Sequence, residues 1–291
     1  AKALKSGKVA VAGLDVYEQE PLPEDHEFRG IENLNLTPHL GASTAEAQES
    51  VGVEIAEAIA EVLQGGRIRN AINMPSIDPK DLITLRPYLD LCHRLGSFAR
   101  QSAQENVSSI HISYWGGIVD FDAVPLTRAV QKGWLVGIAG DEGINDVNAP
   151  HKIKALGIKL EVTKSSSVVD YNELIEVKTI ASDGSERSVK GTLLGKANDP
   201  RIVEVDGQAI EVRPVDLLLV LRNVDKPGIV GKLGTILGDH GVNIANMSLS
   251  RADCGELALT ICELDEEPNL DVLRLLEADS DIREARISRQ G

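Results

Sequence analysis

Two stretches of the sequence hold residues whose types and spacing could do chemistry. In LTPHLGASTAEAQ (residues 36–48), His39 follows a proline and stands just before Gly41, at the seam between an apolar run and a helix. Glu20 lies nineteen residues earlier, in YEQEP. A carboxylate beside an imidazole fixes its tautomer and raises its basicity, so the two could form a proton-transfer pair. A lone loop histidine is more often structural or merely exposed than catalytic. The position of His39 favours chemistry, because open α/β sheets gather their ligands at the C-terminal ends of strands and the starts of helices.

The second stretch is RNVDKPGIVGKLGTILGDHGVNI (residues 222–244). Pro227-Gly228 at a helix start leaves free backbone amides, and Asp225 and Asn243 can flank them. An amino acid would suit that set, with its carboxylate on the amides and its ammonium on Asp225. A plain strand-to-helix turn explains it as well. Lys190, Lys196 and Arg201 bracket the Gly191–Pro200 turn and could hold an anion, although solvated surface charge accounts for them better. Met74, Met247, Trp115 and Trp134 read as packing residues.

The chain must bury a sizeable core to position such groups. Its 291 residues, 42% of them hydrophobic, are enough for two or three domains. Asp and Glu outnumber Lys and Arg 45 to 30, a net charge of −15, and the acids are spread along the chain. Such a field repels nucleic acid and anionic membranes. The longest apolar runs, such as Leu217–Leu221, fall far short of the roughly 20 residues of a membrane span. Three separated cysteines (Cys92, Cys254, Cys262), with no CxxC and no histidine at ligand spacing, indicate neither a disulfide framework nor a metal site. A reducing cytoplasm is expected.

Patterning predicts three regions. Residues 1–6 read as a helix tail closed by Gly7, and VAVAGLDV (9–16) as a strand buried on both faces of a parallel sheet. A loop with Pro21 and Pro23 leads to a second strand at Leu34–Thr37. Ser43 is expected to cap a helix, with Glu46 completing a capping box, and that helix should run to about Leu63 and end at Gly65-Gly66. After NAINMPSIDP the pattern becomes α+β. Helices are predicted near Leu85–Gln101 and Val124–Val136, and strands at Ser109–Trp115, Lys159–Thr163, Leu174–Ile180, Arg187–Leu194 and Ile202–Val205. Hairpin turns are expected at Ser182-Asp183-Gly184 and Asp206-Gly207. The last 75 or so residues read strand, helix, strand, strand, helix, strand, the ferredoxin-like βαββαβ order.

SGKVAVAGLDVYEQEPLP and NLNLTPHLGASTAEAQ together resemble the C-terminal side of the catalytic region of D-2-hydroxyacid dehydrogenases. The whole chain is similar to the long form in that family, which adds an intervening domain and an ACT domain. The resemblance implies an α/β plus α+β protein in three parts. Residues 1–72 would be a truncated Rossmann-like segment with a crossing helix. Residues 73–213 would be an α+β intervening domain of the allosteric substrate-binding kind, and residues 214–291 a ferredoxin-like ACT regulatory domain.

It also implies NAD-dependent oxidation of 3-phosphoglycerate to 3-phosphohydroxypyruvate in L-serine biosynthesis. His39 would take the substrate's hydroxyl proton and Glu20 would hydrogen-bond His39. Asp15 would face the nicotinamide carboxamide, with His39 and Gly41 close to the cofactor. Asn223, Asp225, Gly228 and Asn243 would bind L-serine as effector, in a homo-oligomer formed through the ACT domain. Two features depart from the family. None of the 26 glycines stands two residues from another, so no GxGxxG turn can hold a pyrophosphate. The family's substrate-clamping arginine would fall before Ala1, a bidentate partner lost to the α-carboxylate. The chain, which opens AKALKSGK, is therefore expected to continue N-terminally and to be inactive alone. The alternative is a stand-alone amino-acid-sensing ACT protein without catalysis; a decayed fragment is the third possibility.

Overall fold

The computed structural model describes residues 1–64, 68, 71–74, 79–137, 143–167, 169–251 and 257–289. Gly65-Gly66, parts of the NAINMP return, and Cys254 lie outside these residues. The chain folds as two compact units, residues 1–71 and residues 72–291.

The first unit begins with a short helix, α1 (Lys2–Lys5), closed by Gly7 at φ 74°. Strands β1 (Ala12–Leu14) and β2 (Leu34–Leu36) pair in parallel with Gly13 opposite Asn35. Leu4, Ile31 and Leu34 form a small core beneath them. The expected strand over 9–16 is thus only three residues long and is not buried on both faces. Val11 and Val16 are 65% and 60% exposed, because no further strand or covering layer flanks β1 among the described residues of this unit.

Helix α2 (Ala45–Leu63) is capped by Thr44, whose hydroxyl accepts from the Ala47 amide at 3.1 Å. Ser43 instead ends a 3-10 turn over Gly41–Ser43. Moving the cap by one residue puts Ala47, not Glu46, in the third helical position, so no capping box forms. Glu46 sits in the first turn, where it complements the helix dipole.

In the second unit, α3 (Pro79–Ser102) leads into β3 (Val107–Gly116), α4 (Ala123–Leu135) and α5 (Ala149–Ala155). Strands β4 (Lys159–Ser165), β5 (Glu173–Ala181), β6 (Glu186–Leu194), β7 (Asp199–Val205) and β8 (Gln208–Val212) follow. They form a six-stranded sheet in the order β4-β3-β5-β6-β7-β8, in which only β3 and β4 are parallel. Both predicted hairpin turns are present: Gly184 has φ 84°, and Asp206 and Gly207 have φ 49° and 80°. The extra strand β8 and the short α5 were not foreseen; each is too short for periodicity to distinguish it from loop.

Helices α3 and α4 meet through glycines. A Cβ on Gly96 would fall less than 3.0 Å from the Val130 carbonyl oxygen, and one on Gly133 less than 3.0 Å from that of His93. This approach lets Leu91, Leu95, Phe98, Leu126, Val130 and Trp134 fill one core.

The chain then forms β9 (Leu217–Val224), α6 (Ile229–Asp239), β10 (Ile244–Arg251), β11 (Leu257–Leu264), α7 (Leu270–Ala278) and β12 (Ile282–Arg289). The antiparallel sheet runs β10-β11-β9-β12, which is the ferredoxin-like arrangement expected. Strand alternation splits its two faces. Leu219 and Leu221 pack with Leu233 and Leu237 of α6 and Leu276 of α7. Leu218, Leu259 and Ile261 join the core of the preceding α+β region instead.

The core therefore runs across the expected boundary near residue 213. Each fully buried Leu or Ile on that seam is worth roughly 1.5–3 kcal/mol, against about 0–1 for an exposed ion pair, so the apolar seam dominates. A half-buried network crosses the same seam: Arg187 meets Asp206 at 2.8 Å and Glu284 at 3.2 Å, and Arg222 meets both carboxylates as well. Ser97 on α3 donates to the Arg289 carbonyl at 3.0 Å.

Candidate active site

The ends of β1 and β2 bring His39 and Glu20 together. Pairing continues past both strands, since Thr37 N donates to Leu14 O at 3.0 Å and His39 N to Asp15 O at 2.9 Å. The Tyr17 hydroxyl lies between the carbonyls of Leu14 and Thr37, at 3.0 and 2.8 Å. His39 takes φ 56°, a left-handed conformation uncommon for a residue with a side chain. The backbone bond to Asp15 holds it there.

His39 Nδ1 lies 2.8 Å from Glu20 Oε2, and the Tyr17 amide donates to Glu20 Oε1 at 3.0 Å. A carboxylate only accepts, so Nδ1 carries the proton and the neutral ring presents Nε2 as its basic atom. Nε2 has no hydrogen-bond partner among the described residues. The pair lines a cavity of about 480 Å³ with Tyr17, Leu36, Thr37 and Pro38.

Asp15 adjoins this pair through the His39 amide, outside the lining of the cavity. Its carboxylate accepts from Thr37 Oγ1 at 2.5 Å, Leu40 N at 2.7 Å and Gly41 N at 2.6 Å. A Cβ on Gly41 would come within 3.1 Å of Asp15 Oδ2, a tight contact that the carboxylate would have to shift slightly to relieve. Three of the roughly four acceptor positions of this carboxylate are filled, which leaves room for one further amide hydrogen.

The electrostatics follow from these contacts. The Glu20 hydrogen bond and charge raise the His39 pKa above the ordinary imidazole value. His39 and the Tyr17 amide lower that of Glu20, and Thr37 and the backbone amides of Leu40 and Gly41 lower that of Asp15. For His39, with its folded pKa raised, the stabilisation is complete below the unfolded value and is lost as pH rises through the folded one. For Glu20, with its folded pKa depressed, it is complete above the unfolded value and is lost as pH falls through the folded one. The pair is therefore tightest in the window between the two folded values. Replacing Glu20 with Gln is expected to return the His39 titration to the ordinary imidazole range, read from its ring-proton NMR shifts against pH. An unmoved midpoint would show that the carboxylate does not act on the ring.

The residues expected to bind an effector are placed differently from one another. Asn223 is 2% exposed, and its side chain accepts from Thr260 Oγ1 at 2.9 Å and donates to the Val224 carbonyl at 3.0 Å, so its amide is turned into the fold. Asp225 pairs with Arg251 at 3.2 Å. Gly228 caps α6 with φ 98°, and the Asn243 side chain donates to Asp265 at 2.5 Å. Lys190 faces Glu204 at 2.8 Å, and Arg201 faces Glu211 at 3.5 Å, so two of the three basic residues around the Gly191–Pro200 turn, Lys196 being the third, have carboxylate neighbours. Tyr17 was missed by sequence reasoning. Its hydroxyl role depends on two carbonyls that no local pattern announces.

Comparison with known proteins gives the same order of parts. Residues 1–41 match the NAD binding domain of D-isomer specific 2-hydroxyacid dehydrogenases, residues 84–206 the D-3-phosphoglycerate dehydrogenase intervening domain, and residues 217–281 the ACT domain. The D-3-phosphoglycerate dehydrogenase of Archaeoglobus fulgidus is 36% identical over 274 residues, which cover 94% of this chain and 51% of that protein. That of Methanocaldococcus jannaschii is 35% identical, covering 98% and 53%, and that of Synechocystis sp. 38% identical, covering 91% and 47%. The chain spans about half the length of these relatives. Over nearly its whole length the chain is similar to about half of each of these D-3-phosphoglycerate dehydrogenases, and its own parts match, in order, the three domain families above.

Proposed function

We propose that this chain supplies the proton-transfer pair and the regulatory arm of a D-3-phosphoglycerate dehydrogenase, which oxidises 3-phosphoglycerate to 3-phosphohydroxypyruvate with NAD. The observation that carries this reading is the 2.8 Å contact of His39 Nδ1 with Glu20 at the C-terminal ends of two parallel strands. NAD, when bound, supplies the hydride acceptor. Neutral His39, its proton fixed on Nδ1, takes the substrate's hydroxyl proton at Nε2. The imidazolium so formed is stabilised by Glu20. Asp15 fits a nicotinamide carboxamide through its remaining acceptor position, and its three internal hydrogen bonds keep it ionised and fixed.

The test is a chimera in which residues 1–291 follow the N-terminal half of the Archaeoglobus fulgidus relative. Reduction of NAD by 3-phosphoglycerate is the expected result. A folded chimera that binds NAD but gives no turnover would contradict the reading.

L-serine as effector rests on Asp225, Gly228 and Asn243, in a homo-oligomer joined through the ACT domain. The serine ammonium would displace Arg251 from Asp225, and its carboxylate would meet the amides at the start of α6. Calorimetric titration of the chain with L-serine should show saturable binding. Losing a charge-assisted hydrogen bond of about 1.5–3 kcal/mol in Asp225→Asn should weaken it by about tenfold or more. Asn223→Ala should instead lower stability, because it orphans the buried Thr260 hydroxyl. Equal serine affinity in Asp225→Asn would remove Asp225 from the site. A second reading, an amino-acid-sensing protein without catalysis, is favoured by the closed core of residues 72–291.

A further inference from the structure

A groove of about 560 Å³ lies where α3, β3, α4 and the loop after α5 meet β12 of the ACT domain. Its wall is partly apolar, with Leu156, Ile158 and the edge of the buried Trp134. Its polar side holds two guanidinium groups, with the exposed Glu105 also on the lining, so the two cations outnumber the one carboxylate. Arg100 lies over the Trp134 ring, 5.7 Å from the centroid, and has no carboxylate partner among the described residues.

Arg286 comes from β12. Its Nη1 caps the carbonyls of Gln101 and Ala103 at 3.2 and 3.1 Å, and its Nε faces Glu284 at 2.6 Å. The cap offsets the negative end of the α3 dipole, which would otherwise repel an anion from this spot. Trp134 is 1% exposed, yet its Nε1 has no acceptor among the described residues. A buried donor left unpaired costs about 1–3 kcal/mol, and such groups in native proteins are normally satisfied by an ordered water or a ligand.

We propose that this groove binds a small organic carboxylate, its anionic end held by Arg100 with support from Arg286 and its apolar body against Leu156, Ile158 and the indole. A planar, permanently charged guanidinium suits a carboxylate bidentately, and a half-apolar wall selects an organic anion over an inorganic one. The site bridges α3 and the ACT strand β12, so its occupant would tie the two parts of residues 72–291 together. It is independent of the dehydrogenase reading, since it contains neither His39 nor Glu20.

Only two tryptophans are present, so Trp115→Phe leaves Trp134 as the sole indole reporter. Emission of that variant is titrated with acetate, butanoate and hexanoate, with neutral hexanamide and inorganic phosphate as controls. Saturable change is expected, tightest for hexanoate, with hexanamide and phosphate at least about tenfold weaker. Arg100→Gln, which keeps part of the stacking stem, should weaken hexanoate by about tenfold or more, and an unchanged melting temperature would show that the fold is intact. Equal binding of hexanoate and hexanamide, no dependence on Arg100, or no saturable change would overturn the proposal.

Discussion

Replacing His39 with Gln in the chimera is expected to lower kcat for 3-phosphoglycerate oxidation by about 10²- to 10⁴-fold, the usual contribution of a positioned general base. Glutamine preserves polarity and approximate size but cannot accept a proton at the position of Nε2. The cavity beside it is unchanged, so KM should move far less than kcat. Glu20→Gln should have a smaller effect, because it leaves the base in place and removes only the charge that fixes its tautomer and stabilises its cation. A His39→Gln variant with kcat within a few-fold of the parent would mean that the proton leaves by another route.

The second large effect concerns stability. Gly133→Ala is expected to destabilise the chain by about 3 kcal/mol, at or above the upper end of ordinary overpacking. Two terms compete. Alanine is favoured over glycine in a helix by about 1 kcal/mol. Against this, the added carbon would press on the His93 carbonyl and the Ser97 amide, which are backbone atoms and cannot turn aside. The clash should win, because α3 and α4 pack on the same core and must separate to admit the methyl group. Gly234→Ala on α6 is the internal control: nothing beyond its own helix lies within 4 Å of where a Cβ would stand, so the propensity gain should appear there almost alone. Denaturant unfolding of both variants separates the cases. Equal stability changes would show that the contact between α3 and α4 yields to a methyl group.

Periodicity made the long elements legible. α3, α4 and the βαββαβ order of residues 217–289 follow from apolar spacing sustained over many residues. The turns were legible for another reason: Asp206-Gly207 and Ser182-Asp183-Gly184 contain residues that tolerate positive φ. The helix cap was misplaced by one residue because Ser43 and Thr44 are both able caps, and only the 3-10 turn before α2 decides between them. β1 was overestimated because an apolar run sets the maximum length of a strand, whereas neighbours set its actual length.

The site divides in the same way. His39 and Glu20 stood out by residue type and motif. Asp15 was named for a cofactor contact, but its three internal hydrogen bonds show that it also holds Thr37, Leu40 and Gly41 in place. Asn223 looked available next to Asp225, yet strand alternation turns it toward Thr260. The seam between the α+β region and the ACT sheet could not be read from the sequence, because Leu218, Leu259 and Ile261 look like any strand residues until their opposite face is known.

The central claim is that a carboxylate-held imidazole moves the substrate's proton. The most direct test is the pH dependence of kcat/KM for 3-phosphoglycerate oxidation in the chimera and in its Glu20→Gln form. In the parent, the rate should rise as His39 loses its proton, with a midpoint above the ordinary imidazole value. In Glu20→Gln that midpoint should move to lower pH and the plateau should fall. A midpoint that stays in place when the carboxylate is removed would contradict the account.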